Sequence, residues 1–473
     1  MSAADWIHPA SSVTEYAQAG VRTLDAGELR ALIADRTRTW ADQGLAPGDR
    51  VLLATGSRLN TLVDLAATWE AGLTPVLLSD SLAPESYRLL AEATGARAVR
   101  ATPAVARAWS RGGADDAAGV LLRLNPAAPE HAAPENAAPE HPAPAEPCLV
   151  LATSGSTGLP KAVVHPRSHL LRNAAMHWES VDPQAGPGSR YLLSQSLFFS
   201  SAFVCGVLGV LHRGMDLALV EPPFSVVRWA EAARDHRTTH TALTPHLLMR
   251  VLDGAIDLPD TLCQVTIGGD RLGGTALAAL RDRGVPEVFT TYGLTEAGPR
   301  VATNPLTVPG RHDVLGTPLD GVELRLDPVP GEPVDPDRGE LVVITPTAQI
   351  GSYRDGRYVP YPEGLRVPTG DICERLPDGS LRLVGRARRV ASVAGEKVFL
   401  GLVERVLSDH PAVGAARVGP DPEGQGLRAE ILPRPGAEAP DAAELRRWCR
   451  GRLRAVEVPR RFVAVDSATP LSK

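Results

Sequence analysis

The sequence predicts an α/β protein of at least two domains. A large N-terminal domain of β-sheets flanked by helices carries a small barrel-like β region, and a small α+β domain follows. Three observations lead there. The 473 residues exceed what one ordinary core organises. Strand-like and helix-like runs alternate through the first part, as in a parallel sheet covered by helices. Past Gly385 the pattern changes to a compact mixture of both.

The alternation is explicit near the start. "DRVLLAT" (Asp49 to Thr55) is a β-rich run, "NTLVDLAATWEAG" has helical spacing, and "TPVLLSD" is a second strand. The pentapeptide AAPEH/AAPEN then repeats three times between Ala127 and His141. It lies in a Pro/Ala-rich stretch over 124–147 that offers nothing to bury, so an extended solvated loop without chemistry is expected. "CLVLATS" is the strand that follows. "AFVCGVLGVL" (Ala202 to Leu211) is too short to span a bilayer and reads as a buried helix in which Gly206 and Gly209 permit close packing. Later come "GELVVITPT" and a hairpin, "DICERL" and "SLRLVG", turned around Pro377-Asp378-Gly379. The domain boundary is placed at about Arg386, giving 1–385 and 386–473. The second part holds a helix at "LGLVERVLSDH", a strand "LRAEILP", a helix from Asp441 with Glu444 completing a capping box, and a strand "RRFVAV".

Composition excludes several classes. With 44% hydrophobic and 22% charged residues the chain is that of a soluble globular protein. A net charge of −6 gives no electrostatic reason for nucleic acid or an acidic membrane as partner. Cys148, Cys205, Cys263, Cys373 and Cys449 are scattered without a C-x-x-C pair, which suits a reduced cytoplasm and supplies neither a zinc cluster nor a disulfide framework. The N-terminus shows no basic and apolar leader, so no secretory signal is read.

The chemistry gathers at "TSGSTGLPKAVVH", Thr153 to His165. It is not a Walker loop, because Gly158 is followed by Leu159-Pro160-Lys161 rather than by lysine and Ser/Thr. Its backbone donors, hydroxyls and one cation nevertheless suit a polyphosphate tail. Downstream stand "TTYGLTEAG" (Thr290 to Gly298), "PTGD" (Pro368 to Asp371) and "LVGRARR" (Leu383 to Arg389). In this order, with "LRALIADRTRTWADQGLAPGDRVLLAT", "TALTPHLLMRVLD", "IGGDRL" and "LGTPLDGVELRL", the set resembles the adenylate-forming superfamily of acyl-CoA synthetases, peptide-synthetase adenylation domains and luciferases, over nearly the whole chain.

That resemblance implies a use for each residue. Thr153, Ser154, Gly155, Ser156, Thr157, Gly158 and Lys161 would wrap the β- and γ-phosphates of ATP. Glu296 would hold Mg2+, with Thr295 near the α-phosphate. Tyr292 and Gly293 would lie by the adenine, and Gly268, Gly269 and Asp270 would line its other side. Asp371 would accept from both ribose hydroxyls, and Arg386 would also reach the ribose. The activity implied is conversion of a carboxylic acid to an acyl-adenylate with release of pyrophosphate. The acyl group would then pass to CoA or a carrier-protein thiol. An amide synthetase that passes it to an amine, and a degenerate adenylate-binding protein, are the rival readings.

Amino-acid adenylation domains place an aspartate after a phenylalanine to pair with the substrate ammonium. Here "LFFSSAF" puts Phe199 at that place, and a buried unpaired ammonium costs several kcal/mol, which disfavours an α-amino acid. Phe198, Phe199, Phe203, Val204, Thr291 and Gly298 then describe an apolar pocket with Ser200 and Ser201 as polar contacts, suited to an aryl or medium-length aliphatic acid. The small domain departs from the family's pattern. Arg388 stands at the hinge place, Ser392 stands where a lysine is usual, and Gly395 matches. In relatives a phrase like "PLS" leads to a glycine–lysine pair that serves adenylation. Lys473 either precedes that position or takes over its role.

Overall fold

In the computed structural model the described residues are 5–54, 59–78, 84–102, 120–123, 144, 146–153, 161–221, 223–254, 256–269, 274–306, 311, 313–329, 334–386, 390–393, 396–422, 426–450, 452–453 and 455–465. They fall into two compact units. One comprises Met1–Glu323 and Val343–Val367, and the other Leu324–Val342 and Pro368–Lys473. The division runs earlier than Arg386 because the strands Glu323–Asp327, Arg338–Ile344, Arg366–Arg375 and Leu381–Arg386 hydrogen-bond into one four-stranded sheet. That sheet is what the sequence suggested as the barrel-like region.

The first unit is built on two large sheets. The strands Arg50–Ala54, Thr74–Leu77, Ala98–Ala101 and Cys148–Thr153 run parallel at the heart of an eight-stranded sheet. Its antiparallel partners include Lys161–Pro166, which pairs with Cys148–Thr153 in register from Cys148↔Pro166 to Thr153↔Lys161. The strands Ser12–Ala17, Arg190–Leu193, Asp216–Val220, His240–Leu243, Gln264–Gly268 and Glu287–Gly293 form the parallel body of a nine-stranded sheet. Strands such as Arg50–Ala54, Thr74–Leu77, Arg190–Leu193 and Asp216–Val220 are buried and mostly apolar, as in a parallel sheet covered by helices. The β-α-β reading of the opening region therefore describes the structure.

Local signals start the helices. Asp25 caps Ala26–Ala41: Glu28 N donates to Asp25 Oδ1 at 2.8 Å, and Asp25 N donates to Glu28 Oε2 at 3.0 Å. Leu29, Ile33 and Trp40 face inward from it. Leu59–Glu70 is buried along almost its whole length, and with Arg167–Val181 it shares one core with residues from both large sheets.

The run "AFVCGVLGVL" is helical and wholly buried from Ala202 to Leu211, with a π-helical turn at Val204–Leu208. Its glycines allow the close approach expected. A Cβ on Gly209 would stand 2.7 Å from Cδ1 and Nε1 of Trp178, and one on Gly206 would stand 3.3 Å from the Tyr191 ring. Trp178 Nε1 donates to Cys205 O at 3.0 Å, using a carbonyl within the π turn.

The C-terminal residues form their own core. The hairpin Val390–Val393/Glu396–Phe399 leads into the helix Leu400–Ser408. Val413–Pro420 and Leu427–Pro433 pair antiparallel, and Arg461–Ala464 joins parallel. Val403, Leu407, Val413, Leu427, Leu445 and Cys449 meet between them. Glu444 N donates to Asp441 Oδ1 at 2.7 Å, while the Glu444 carboxylate lies 3.3 Å from Nε2 of His410.

Candidate active site

The segment assigned to phosphate is flanked by a strand pair. Cys148–Thr153 ends where Lys161–Pro166 begins, so Lys161 sits opposite Thr153 at the mouth of the intervening segment. Thr153 is placed by its backbone. Ser154, Gly155, Ser156, Thr157 and Gly158 lie outside the described residues, as do Asp270, Arg388, Gly395 and Lys473.

A second hairpin brings the acid to Lys161. The strand Glu287–Gly293 turns back into Arg300–Pro305 through a 3-10 turn at Thr295–Ala297 and a cis Gly298-Pro299 bond. Gly293 is required there, since a Cβ would stand 2.0 Å from the Pro299 carbonyl oxygen. Gly298 has φ +114 and presses on Thr347, so neither its backbone angle nor its space accepts a side chain. The turn leaves Glu296 Oε1 at 3.8 Å from Lys161 Nζ. Both are partly exposed, Lys161 at 37% and Glu296 at 24%, so a carboxylate and a cation converge where a solute can reach them.

Buried side chains fix this turn from below. His165 Nε2 lies 2.7 Å from Thr295 O, which requires the proton on Nε2. Burial pushes the His165 pKa down to about 4, against a smaller opposing pull from that hydrogen bond, so the ring is neutral at neutral pH. Gln349 N donates to Glu296 O at 2.8 Å. Thr347 Oγ1 donates to Ala297 O at 2.8 Å, and Asn173 clamps Arg300 by its backbone at 2.8 and 2.9 Å. Thr295 Oγ1 lies 3.0 Å from Ser200 Oγ.

The expected acyl pocket divides into two settings. Phe198 is partly buried and Phe199 is 49% exposed, with ring centroids 4.2 Å apart. Phe203 and Val204 are wholly enclosed in the core, where Phe203 meets Trp69 at 6.1 Å. Thr291 Oγ1 donates to Ile267 O at 3.3 Å, and a Cβ on Gly268 would stand 2.5 Å from that hydroxyl oxygen. Gly269 follows with φ +93 at the strand end. Tyr292 is half-buried and pairs with Ala302.

Within the second unit, the two residues assigned to the ribose are direct cross-strand partners, Asp371↔Arg386. Asp371 is buried, its N–H donates to Thr369 Oγ1 at 3.0 Å, and Gly370 takes φ +71 just before it. Arg386 is placed by its backbone, and so is Ser392, opposite Lys397.

Residue-type reasoning passed over His165, Asn173, Thr347, Gln349 and Arg300. His165 and Arg300 stood in quoted or adjoining motifs. Asn173, Thr347 and Gln349 carry no local pattern, because their partners around the turn lie 50 to 174 positions away in sequence.

Two large sheets, a small α+β unit and the Lys161–Glu296 pair are features that fit an AMP-forming ligase. Residues 18–353 match the family model of AMP-binding enzymes, and residues 402–473 match the AMP-binding enzyme C-terminal domain. The chain belongs to this adenylate-forming family. It is 30% identical over 463 residues to a feruloyl-CoA synthase of an Amycolatopsis species, covering 94% of this chain and 91% of that one. It is also 30% identical to a 2-succinylbenzoate–CoA ligase of Geobacillus kaustophilus, covering 94% and 90%. Among solved structures, an amide bond synthetase from Marinactinospora thermotolerans shares the fold with a TM-score of 0.78 at 24% identity, over 98% of this chain and 94% of that one. An O-succinylbenzoate coenzyme A synthetase from Bacillus subtilis, solved with ATP and a magnesium ion, matches with a TM-score of 0.75 at 21% identity, over 94% and 91%.

Proposed function

We propose that the protein uses ATP to convert an aryl or medium-length aliphatic carboxylic acid to its acyl-adenylate, then passes the acyl group to the thiol of CoA or of a carrier protein. The observation that carries this reading is the convergence of Lys161 and Glu296 beside the Thr295 and Ser200 hydroxyls.

A carboxylate is a poor electrophile. One of its oxygens attacks the α-phosphorus of ATP, the new O–P bond forms as the bond to pyrophosphate breaks, and AMP becomes the leaving group. The thiol sulfur next attacks the acyl carbon, the bond to AMP breaks, and the thiol proton leaves with solvent. The transition state of the first step gathers negative charge on phosphate oxygens. Protein catalysis there is positioning plus fixed positive charge, which Lys161 and the N–H groups of its loop would supply.

Glu296 suits a magnesium ion, because Mg2+ is commonly held by one or two carboxylates together with phosphate oxygens and water. When bound, the ion neutralises phosphate charge. Asp371 and Arg386, paired across their hairpin, would hold the ribose, and the half-buried Tyr292 would meet the adenine. Phe198 and Phe199 offer the acid an aromatic face, with no carboxylate at position 199 for an ammonium. The CoA-ligase relatives support thiol transfer. Among the described residues no helix is long and apolar enough to cross a membrane.

ATP–pyrophosphate exchange across a panel of aryl, aliphatic and amino acids tests the first step. LC–MS with CoA, a carrier protein or amines as acceptors tests the second. Exchange with aryl or aliphatic acids and a thioester product is expected. An amide product would move the assignment to the amide synthetase reading. No exchange with any acid would leave an adenylate-binding protein.

A further inference from the structure

Arg300 opens the strand that returns from the Thr295–Ala297 turn, and it is 6% exposed. Its guanidinium donates through Nη1 to Thr291 Oγ1, its Nε is buried without an acceptor, and its charge reaches the Cys205 thiol. Tyr191 and His177 also feel its charge. These neighbours are neutral. Burial pushes the Cys205 thiol and the Tyr191 phenol up. His177 is driven well below the usual histidine range, first by burial and then by Arg300 itself, and its buried Nδ1 is without a partner too. Among the described residues no carboxylate pairs with Arg300. A guanidinium keeps its charge at any physiological pH, and enclosing one among neutral groups is costly unless an anion completes the site.

The position of Arg300 says which anion. It directly follows Gly298-Pro299, it bonds Thr291, and a Cβ on Gly268 would stand 2.8 Å from its Nη1. Two of these neighbours, Thr291 and Gly298, are residues assigned to the substrate pocket, and Gly268 is assigned to the adjoining adenine side. Lys161 and Glu296 mark the exposed mouth where the reacting carboxylate must meet ATP. Arg300 is instead shut away from solvent at 6% exposure with a buried unpartnered Nε, and its charge is felt by the buried Cys205, Tyr191 and His177.

We propose that Arg300 determines specificity by receiving a second anionic group, a carboxylate or sulfonate, at the far end of the acid. The preferred substrates then have an apolar body with an acid at each end. This rests on the adenylation reading for which end reacts. It narrows the acid from any aryl or aliphatic member to a dianionic one, and it adds a buried cation to a pocket the sequence described as apolar. A guanidinium matches the planar oxygens of a carboxylate or sulfonate better than an ammonium does.

Calorimetric binding to the full chain tests it, with acid pairs that differ only at the far end. Suitable pairs are 3-(4-carboxyphenyl)propanoate against 3-(4-methylphenyl)propanoate, and adipate, pimelate and suberate against the monoacids of equal length. Wild type is expected to bind the best dianion more tightly than its partner by about ten-fold or more, as for a charge-assisted pair. Arg300→Leu should abolish or reverse that ratio while keeping the neutral acid. Arg300→Lys, which retains the charge if the leucine variant fails to fold, should keep part of it.

Equal binding of both members of every pair by wild type would overturn the proposal. So would an equal loss of both in Arg300→Leu, which would mean Arg300 holds the reacting carboxylate or only the fold. Exchange assays on the same pairs separate the two claims. A dianion preference in binding without exchange would sink the adenylation reading and leave Arg300 assigned. Exchange with neutral acids and no dianion preference would do the reverse.

Discussion

At the scale of the residue, Asp371 and His165 show two ways in which burial is turned to use. Asp371 is enclosed on a strand, with its backbone N–H tied to Thr369 and its neighbour Arg386 facing it across the hairpin. Under the proposed function, Asp371→Ala loses hydrogen bonds to a charged group. ATP binding should then weaken by roughly 1.5–3 kcal/mol. Calorimetry with ATP checks this, and unchanged affinity would remove Asp371 from the ribose site. His165 makes a pH-dependent contribution. Its pKa in the fold is about 4, below that of an unfolded chain, so the fold favours the neutral ring. That stability is fully present above pH ~6.5 and is lost as pH falls toward 4, reaching roughly 3 kcal/mol there. Urea melts from pH 7.5 to 4.5 should show the decline, with a shallower slope in His165→Asn. An identical slope in that variant would place the proton uptake elsewhere, and the similarly depressed His177 is then the first suspect.

At the scale of the element, the helix from Ser200 to His212 and the hairpin around Glu296 are held by glycines at points where no side chain fits. The two positions in the helix were visible as a pattern in "AFVCGVLGVL". Their partners were not: Gly206 packs on Tyr191 and Leu193, and Gly209 on Trp178, which comes from a helix 27 positions earlier than Cys205. Gly209→Ala drives a methyl group into the Trp178 ring, so it should cost about 1–3 kcal/mol by overpacking. It should also disturb the bond from Trp178 to the Cys205 carbonyl. Denaturant melts followed by tryptophan fluorescence check the first point, and a fully wild-type midpoint would mean the helix slides to make room. In the Glu296 hairpin the motif "TEAG" was legible from residue types alone. Its support was not: His165, Gln349, Thr347 and Asn173 reach it from other parts of the chain.

At the scale of the whole molecule, each compact unit owns a separate apolar core. The C-terminal core gathers Val403, Leu407, Val413, Leu427, Leu445 and Cys449. Leu407 is fully buried within it, so Leu407→Ala should destabilise that unit by about 2–5 kcal/mol. Unfolding of the chain is then not two-state. Hydrogen exchange read by mass spectrometry should accelerate in peptides of 396–465 and stay at the wild-type rate in peptides of 161–305. Acceleration throughout would mean that the two units unfold as one.

The sequence by itself determined the family, the β-α-β order and most candidate site residues. Those are properties of local runs: apolar periodicity sets strands and helices, and short motifs such as "TEAG" and "PTGD" place their chemistry within a few residues of chain. Only the tertiary structure decided which of these side chains meet. Lys161 and Glu296, 135 positions apart, converge because strand pairing within two different sheets brings their turns together. Phe203 and Val204 proved to be enclosed in the core, although they read like their exposed neighbour Phe199. Arg300 became a buried cation rather than a surface charge for the same reason. Burial is the sum of contacts made by distant segments, and no stretch of sequence contains that sum.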